Sequence, residues 1–368
     1  MKIICKRQQL NEAVLNIQRA VSSKSSVPAL EGILLVAGDN EITLCGYDLE
    51  LGMKTKIEAQ VKEPGSIVLG ARLFGDIVRR LPAEDVLLSA DEKNITTIQS
   101  GPADFSIAGI PAEEYPELPS ITGETSLHIP GGTLKSMIHQ TIFAVAENDA
   151  KPIHTGTLFE LEKNSIRLVS VDGYRLAIRE ETVLCDEELN FVVPGKTLQE
   201  VMKLLDDDDD EVELLIGRRH LLFQIGNYCV ISRLLEGEFL DYHAAIPNTS
   251  STEILVSTRA FIESVERVSL IITDRLKSPV RCLFEDHEIK VSCSTSIGRA
   301  SDQLSAKMDG GAVEMGFNNR YLLDALRNTE GDEVKIQLNG ALSPMKILPR
   351  EGNSYLFLVL PVRLKSEA

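Results

Sequence analysis

Three kinds of residue in this chain of 368 residues have the chemistry to form a site: clustered acids, thiols and imidazoles, and a recurring basic face. The densest cluster is the run Asp206–Asp210. Five adjacent carboxylates cannot all turn toward one ion, and no glycine-turned loop of calcium-binding spacing surrounds them. They read as a solvated turn between a helix and a strand. The cysteines (Cys5, Cys45, Cys185, Cys229, Cys282, Cys293) form no C-x-x-C pair, and no histidine stands in H-x-H or H-E-x-x-H spacing. Scattered thiols suit a reducing cytoplasm, and no metal site is expected. Pro194 to Thr197 reads like the end of a phosphate-binding loop, but Asn190 stands where that loop needs its first glycine. No G-x-S-x-G, no G-x-G-x-x-G and no nucleophile with a plausible base is present. Neither catalytic residues nor a cofactor are expected.

The basic face is more informative. A twelve-residue segment occurs three times, GARLFGDIVRRL from residue 70, PGKTLQEVMKLL from 194 and NNRYLLDALRNT from 318, spaced by 124 residues each time. Every copy has a base at its third position (Arg72, Lys196, Arg320) and an acid four residues later (Asp76, Glu200, Asp324). A second base follows three residues after the acid (Arg79, Lys203, Arg327). The apolar residues between them keep helical spacing, so the charges share one face opposite an apolar stripe. A single such face is adequately explained by solvation and helix ion pairs worth a few tenths of a kcal/mol each. Three copies at constant spacing point beyond that, to helices past which a polyanion can run without its base edges being gripped.

The elements that must position these helices repeat as well. Leu10, Ala13, Val14, Ile17 and Val21 lie on one helical face near the start, and Leu134, Met137, Ile138, Thr141 and Val145 repeat them at the same offset. Phe261, Val265, Val268 and Ile272 continue the pattern in a third unit. Strand, polar turn, strand follows each time, with turns at Gly38-Asp39-Asn40, Lys163-Asn164 and Asp286-His287. Another strand then leads into the repeated basic helix, and further strands close each unit. The expected fold class is α+β, three tandem repeats of a domain with two helices on antiparallel sheet. The boundaries are expected in turn-rich segments, giving domains at 1–121, 122–247 and 248–368.

Composition limits the partners. Apolar residues make up 43% of the chain and tryptophan is absent, so the cores must be aliphatic. No apolar run approaches membrane-spanning length, and the predicted location is cytoplasmic. The net charge of −17 argues against nucleic acid if spread evenly, yet net charge says nothing about one face.

At SVPALEGILL (26–35), GYDLELG (46–52), AGIPAEEYPELP (108–119), SVDGYRLA (170–177), VVPGKTLQEVMKLL (192–205), MGFNNRYLLDAL (315–326) and LVLPVRL (358–364), the chain resembles the bacterial DNA sliding clamp family, the beta subunit of DNA polymerase III. The resemblance covers the full length. It implies a homodimeric, head-to-tail ring around duplex DNA, a processivity factor and not an enzyme. It also implies partners: the replicative polymerase, the clamp loader, and other polymerases and repair proteins, which dock through short hydrophobic peptides.

By the same resemblance, Lys24, Arg72, Tyr174 and Lys196 are DNA contacts, and the repeat adds Arg79, Lys203, Arg320 and Arg327. Lys24 stands where family members commonly carry arginine. The implied peptide cleft carries over to His154, Val171, Gly173, Tyr174, Arg175, Leu176, Leu240 and Ala245. From the third unit it takes Asn318, Tyr321, Leu342, Pro344, Leu358, Leu360, Pro361, Val362 and Arg363. His154 replaces a usual aliphatic residue and Val171 a usual hydroxyl, and the tail KSEA runs past the usual end. Phe105 and Ile107, facing Leu270 and Ile271 of a second copy, match the family's apolar ring contact. Two other readings stay open at this level: a scaffold that binds proteins only, which the charge of −17 favours, and a hydrolase built from the scattered acids and histidines.

Overall fold

The structure, a computed structural model, describes residues 1–121, 125–148, 151–206, 210–273 and 278–364. The middle of the acidic run (207–209), the connector residues 122–124 and the KSEA tail lie outside the described residues. Six α-helices are found among the described residues: α1 (Arg7–Ile17), α2 (Ala71–Arg79), α3 (Gly131–Ile142), α4 (Gly195–Met202), α5 (Thr258–Ser269) and α6 (Asn319–Arg327). The predicted pair per repeat is present, and the apolar stripe accounts for it. On α2, Phe74, Ile77 and Val78 are buried, as are Leu198 and Val201 on α4 and Leu322, Ala325 and Leu326 on α6. Each large side chain contributes about 1.5–3 kcal/mol on burial, more than the propensity of so short a helix could supply.

The repeated helices are shorter than the twelve-residue pattern. In α2 the helical geometry ends at Arg80, with φ −104° and ψ 2°, although Leu81 beyond it is still buried. α6 begins on a side-chain cap, Asn318 accepting from the Arg320 N–H. In α5 Ser257 accepts from the Ala260 N–H in the same way.

Two of the predicted hairpin turns have both central residues in the left-handed region, Asp39-Asn40 at φ 50° and 59° and Asp286-His287 at φ 47° and 63°. That is the twist a two-residue hairpin loop needs, and Asn and Asp tolerate it. In the third turn only Asn164 has positive φ, at 59°.

The chain divides into two compact units, residues 1–133 with 199–234, and residues 134–198 with 235–368. The first unit carries a sheet of 12 strands; the second carries sheets of 9 and 4 strands. The reason for the division lies in two strand pairs that cross the sequence repeat. Strand Leu51–Glu63 of the first repeat pairs antiparallel with Tyr228–Arg233 of the second, Met53 opposite Val230. Strand Arg175–Thr182 of the second repeat pairs with Tyr355–Val359 of the third, Leu176 opposite Leu358. Half of the middle repeat therefore completes each sheet. Leu51–Glu63, the longest strand described, is masked in the sequence because lysine and glutamate fill its outward positions and leave a charged run.

Candidate functional site

The repeated helices place their bases in solvent, but not all alike. Lys24, Arg72, Arg79, Lys196, Lys203, Arg320 and Arg327 are all exposed. The second base of each copy is matched by an acid: Arg79 lies 3.8 Å from Asp76, Lys203 2.8 Å from Glu200, and Arg327 2.6 Å from Glu266. Arg72 and Lys24 enter no ion pair among the described residues. In α2 and α4 the acid of the motif serves its own helix and neighbours, Asp76 holding Arg79 and Arg80, and Glu200 holding Lys203 with Arg19 3.8 Å away. The third copy departs from the pattern. Asp324 turns from its own helix to Arg175 of the middle repeat, and Arg327 takes its acid from α5.

That departure opens onto the densest group of cleft candidates. Asp172, Gly173, Tyr174 and Arg175 form a tight turn in which Asp172 Oδ1 accepts from the Tyr174 N–H (2.9 Å) and the Arg175 N–H (3.0 Å). Gly173 sits at φ +84°, and a Cβ there would meet nothing within 4 Å, so glycine is needed for backbone conformation and not for space. The turn raises Tyr174 to 59% exposure and stacks its ring on Tyr321 of α6, with centroids 5.6 Å apart and planes at 23°. Burial and the neighbouring Asp172 carboxylate raise the Tyr321 phenol above its ordinary pKa. The carbonyl of Tyr174 accepts from the Leu360 N–H at 2.9 Å, which fixes the C-terminal segment beside the turn. A cavity of about 620 Å³ opens here, lined in part by Tyr174, Arg175, Asn318, Tyr321 and Val362.

Beneath the turn, Val171, Leu176 and Leu358 are buried in one apolar cluster with Leu158, Val192 and Tyr242. They form a floor and not a contact surface. Leu240, Leu342, Leu360 and Val362 are the exposed apolar candidates. His154 packs edge-on against Phe239, centroids 5.7 Å apart, and Ala245, Arg363 and Gly173 are exposed. Pro344 and Pro361 are half-buried. The structure thus joins Tyr174, Arg175, Asn318, Tyr321 and Val362 around one cavity, while Leu240 lines a separate hollow of about 310 Å³ with Phe239.

Several lining residues are not among the cleft candidates: Val145 and Ile272, which continue the helical stripes, Asp324, the motif acid, and Asp172 and Pro279. One of them carried a signal. Asp172 lies 124 residues after Asp48, whose Oδ1 accepts from the Glu50 and Leu51 N–H groups in the same way.

Of the ring-contact candidates, Phe105 is exposed on Ala103–Ala108, a strand at the end of its sheet, and Leu270 is 83% exposed just beyond α5. Ile107 is half-buried. Ile271 packs against the third repeat's core.

The geometry is that of a cavity of mixed polar and apolar lining beside the segment 360–362, with basic helices elsewhere on the surface. Comparison with known proteins identifies the family. Residues 1–119, 128–241 and 243–363 match the N-terminal, central and C-terminal domains of the DNA polymerase III beta subunit. The beta sliding clamp of Bacillus subtilis strain 168 is 34% identical over 99% of this chain and 100% of its own length. That of Staphylococcus epidermidis is 30% identical, over 99% of both chains. The crystal structure of the DNA polymerase sliding clamp from Bacillus subtilis superposes with a TM-score of 0.96, at 34% identity over 99% of this chain and 100% of the other. A putative DNA polymerase III beta subunit from Eubacterium rectale gives 0.94 at 33% identity, with the same coverage of both chains.

Proposed function

The chain belongs to the family of bacterial DNA polymerase III beta subunits, the sliding clamps, and on that premise we propose how its surfaces are used. It is a processivity factor for DNA polymerase and has no catalytic part of its own. Two copies close head to tail into a ring, each contributing domains at 1–121, 122–247 and 248–368. A heterologous contact closes in this way when the rotation between subunits completes a circle. Phe105 and Ile107 of one copy meet Leu270 and Ile271 of the next, which also covers the open strand edge at Ala103–Ala108.

Duplex DNA passes the repeated helices. Lys24, Arg72, Lys196 and Arg320 supply the phosphate contacts, with Arg79, Lys203, Arg327 and Tyr174 beside them. Because the second bases are matched by acids, the lining holds only a small positive surplus, which suits sliding. Topology, and not affinity, keeps the ring on its template. The cleft around Tyr174, Tyr321, Leu360 and Val362 takes a short hydrophobic peptide from the polymerase, the clamp loader or a repair protein. Such a tether raises the local polymerase concentration at the primer end without altering its chemistry. No described helix is long and apolar enough to cross a membrane, and the location we infer is the cytoplasm.

The observation that carries this reading is the full-length three-domain match together with the exposed basic face in all three copies. The test is retention. Protein loaded on nicked circular DNA should stay through gel filtration and be lost when the circle is cut once. Equal loss from circular and linear DNA would overturn the topological reading.

A further inference from the structure

By resemblance Arg175 is a residue that touches bound peptide, yet its surroundings leave it little to offer a ligand. Its side chain is only 12% exposed and already meets two carboxylates. Nε donates to Asp172 Oδ2 at 2.9 Å, and Nη1 donates to Asp324 Oδ2. The guanidinium lies over the Tyr321 ring, 4.6 Å from its centroid, with the Phe143 ring at 5.7 Å. Planar stacking and two directed donors use the features that distinguish arginine from lysine.

What these contacts connect is more telling than their number. Asp172 shapes the turn that presents Tyr174, and it holds the guanidinium with its other oxygen. Asp324 lies three residues after Tyr321, on the adjoining turn of α6. One guanidinium thus ties the Tyr174 turn to the helix that carries Tyr321, across 149 residues of sequence.

The first repeat shows what the same framework does without the tie. At the matching offset Leu51 replaces Arg175, Gly52 replaces Leu176 and Glu200 replaces Asp324. Glu200 there serves Lys203 and lies near Arg19. Leu118 packs so closely over Gly52 that an added Cβ would lie 3.0 Å from it.

We infer that Arg175, Asp172 and Asp324 form a positioning assembly that holds the Tyr174–Tyr321 wall of the cleft in its binding arrangement. Asp324, the acid of the third repeated helix, belongs to this assembly and not to the charge pattern of the DNA-facing bases. Arg175 is a positioning residue, and the peptide meets the tyrosines it sets. This inference rests on the reading of the region as a peptide cleft.

The test uses the full-length protein and an acetylated, amidated decapeptide with a Leu-Leu-Phe core in neutral polar flanks, followed by calorimetry. Asp324→Asn and Arg175→Leu should each weaken binding about tenfold, or about 1.4 kcal/mol. The double variant should be no weaker than the singles, because both break one tie. Arg175→Lys, which keeps the charge but loses the planar fork, should lie between the wild type and Arg175→Leu. The chain has no tryptophan, so near-ultraviolet circular dichroism reports tyrosine packing. Both single variants should alter that signal without changing solution mass. Unchanged binding by Asp324→Asn, with a loss in Arg175→Leu, would overturn the inference and make Arg175 a direct ligand. Failure of the unaltered protein to bind the peptide would overturn the cleft reading itself.

Discussion

Arg72 and Arg79 stand on one short helix, carry the same charge and are both exposed, yet they should contribute unequally to DNA binding. Arg72 enters no ion pair among the described residues, whereas Arg79 lies 3.8 Å from Asp76. A base that neutralises a phosphate releases a condensed counterion, and each such contact adds about 0.9 to the slope of log affinity against log salt. Replacing Arg72 by alanine should therefore reduce that slope by about 0.9. The affinity ratio between 50 and 200 mM salt then shrinks about 3.5-fold. Arg79 already shares its charge with a carboxylate, so Arg79→Ala should reduce the slope by less than about 0.4. The measurement is fluorescence anisotropy of a short linear duplex across a salt series. A short linear duplex leaves topological retention out of the signal. Equal slope changes in the two variants, or a larger change at Arg79, would refute the idea that local ion pairs decide which bases are free to meet phosphate.

Three further outcomes are expected. Leu270→Lys puts a charge into the proposed apolar ring contact and should convert a dimer to a monomer at micromolar concentration by sedimentation; an intact dimer would locate the contact elsewhere. Gly173→Val forces a branched residue into φ +84°, at a cost of about 1–3 kcal/mol. It should abolish decapeptide binding in calorimetry while leaving solution mass unchanged, and full binding would remove the turn from the cleft. Burial pushes the Cys5, Cys45 and Cys282 thiols up to about 12, from 9.0 when free in the unfolded chain. Stability is then full below pH 9 and falls as pH rises from 9 toward 12, by about 1.4 kcal/mol per thiol per pH unit. Urea unfolding at pH 8 and pH 10 checks this, and an unchanged midpoint would contradict it.

Much of the fold was legible because its signals are local. The apolar spacing in α1, α2 and α6 has the helical period, and Asp39-Asn40 and Asp286-His287 announce left-handed turns by residue type alone. The third copy's Asn318 could likewise be read as a helix start. What stayed hidden depends on partners far away in sequence. Nothing near Asp324 reveals that it leaves its helix for Arg175, and nothing near Phe143 places it beside the same guanidinium. The strand Leu51–Glu63 alternates buried and exposed positions over part of its length. Its role becomes visible only once Tyr228–Arg233 lies against it. Tyr174 and Tyr321 were singled out through the resemblance, and no periodicity in the chain would have paired them.

The two strand pairs that cross the repeat also separate the unit of sequence repetition from the unit of cooperativity. The basic helix recurs at intervals of 124 residues, but the hydrogen-bond ladders run across the boundaries between repeats. Cut out as a block, the middle repeat would lose Leu51–Glu63 from one of its strands and Tyr355–Val359 from another. Both severed edges would present unpaired amide and carbonyl groups. The middle block is therefore poorly suited to an independent existence, as a fragment or as a module moved into another protein.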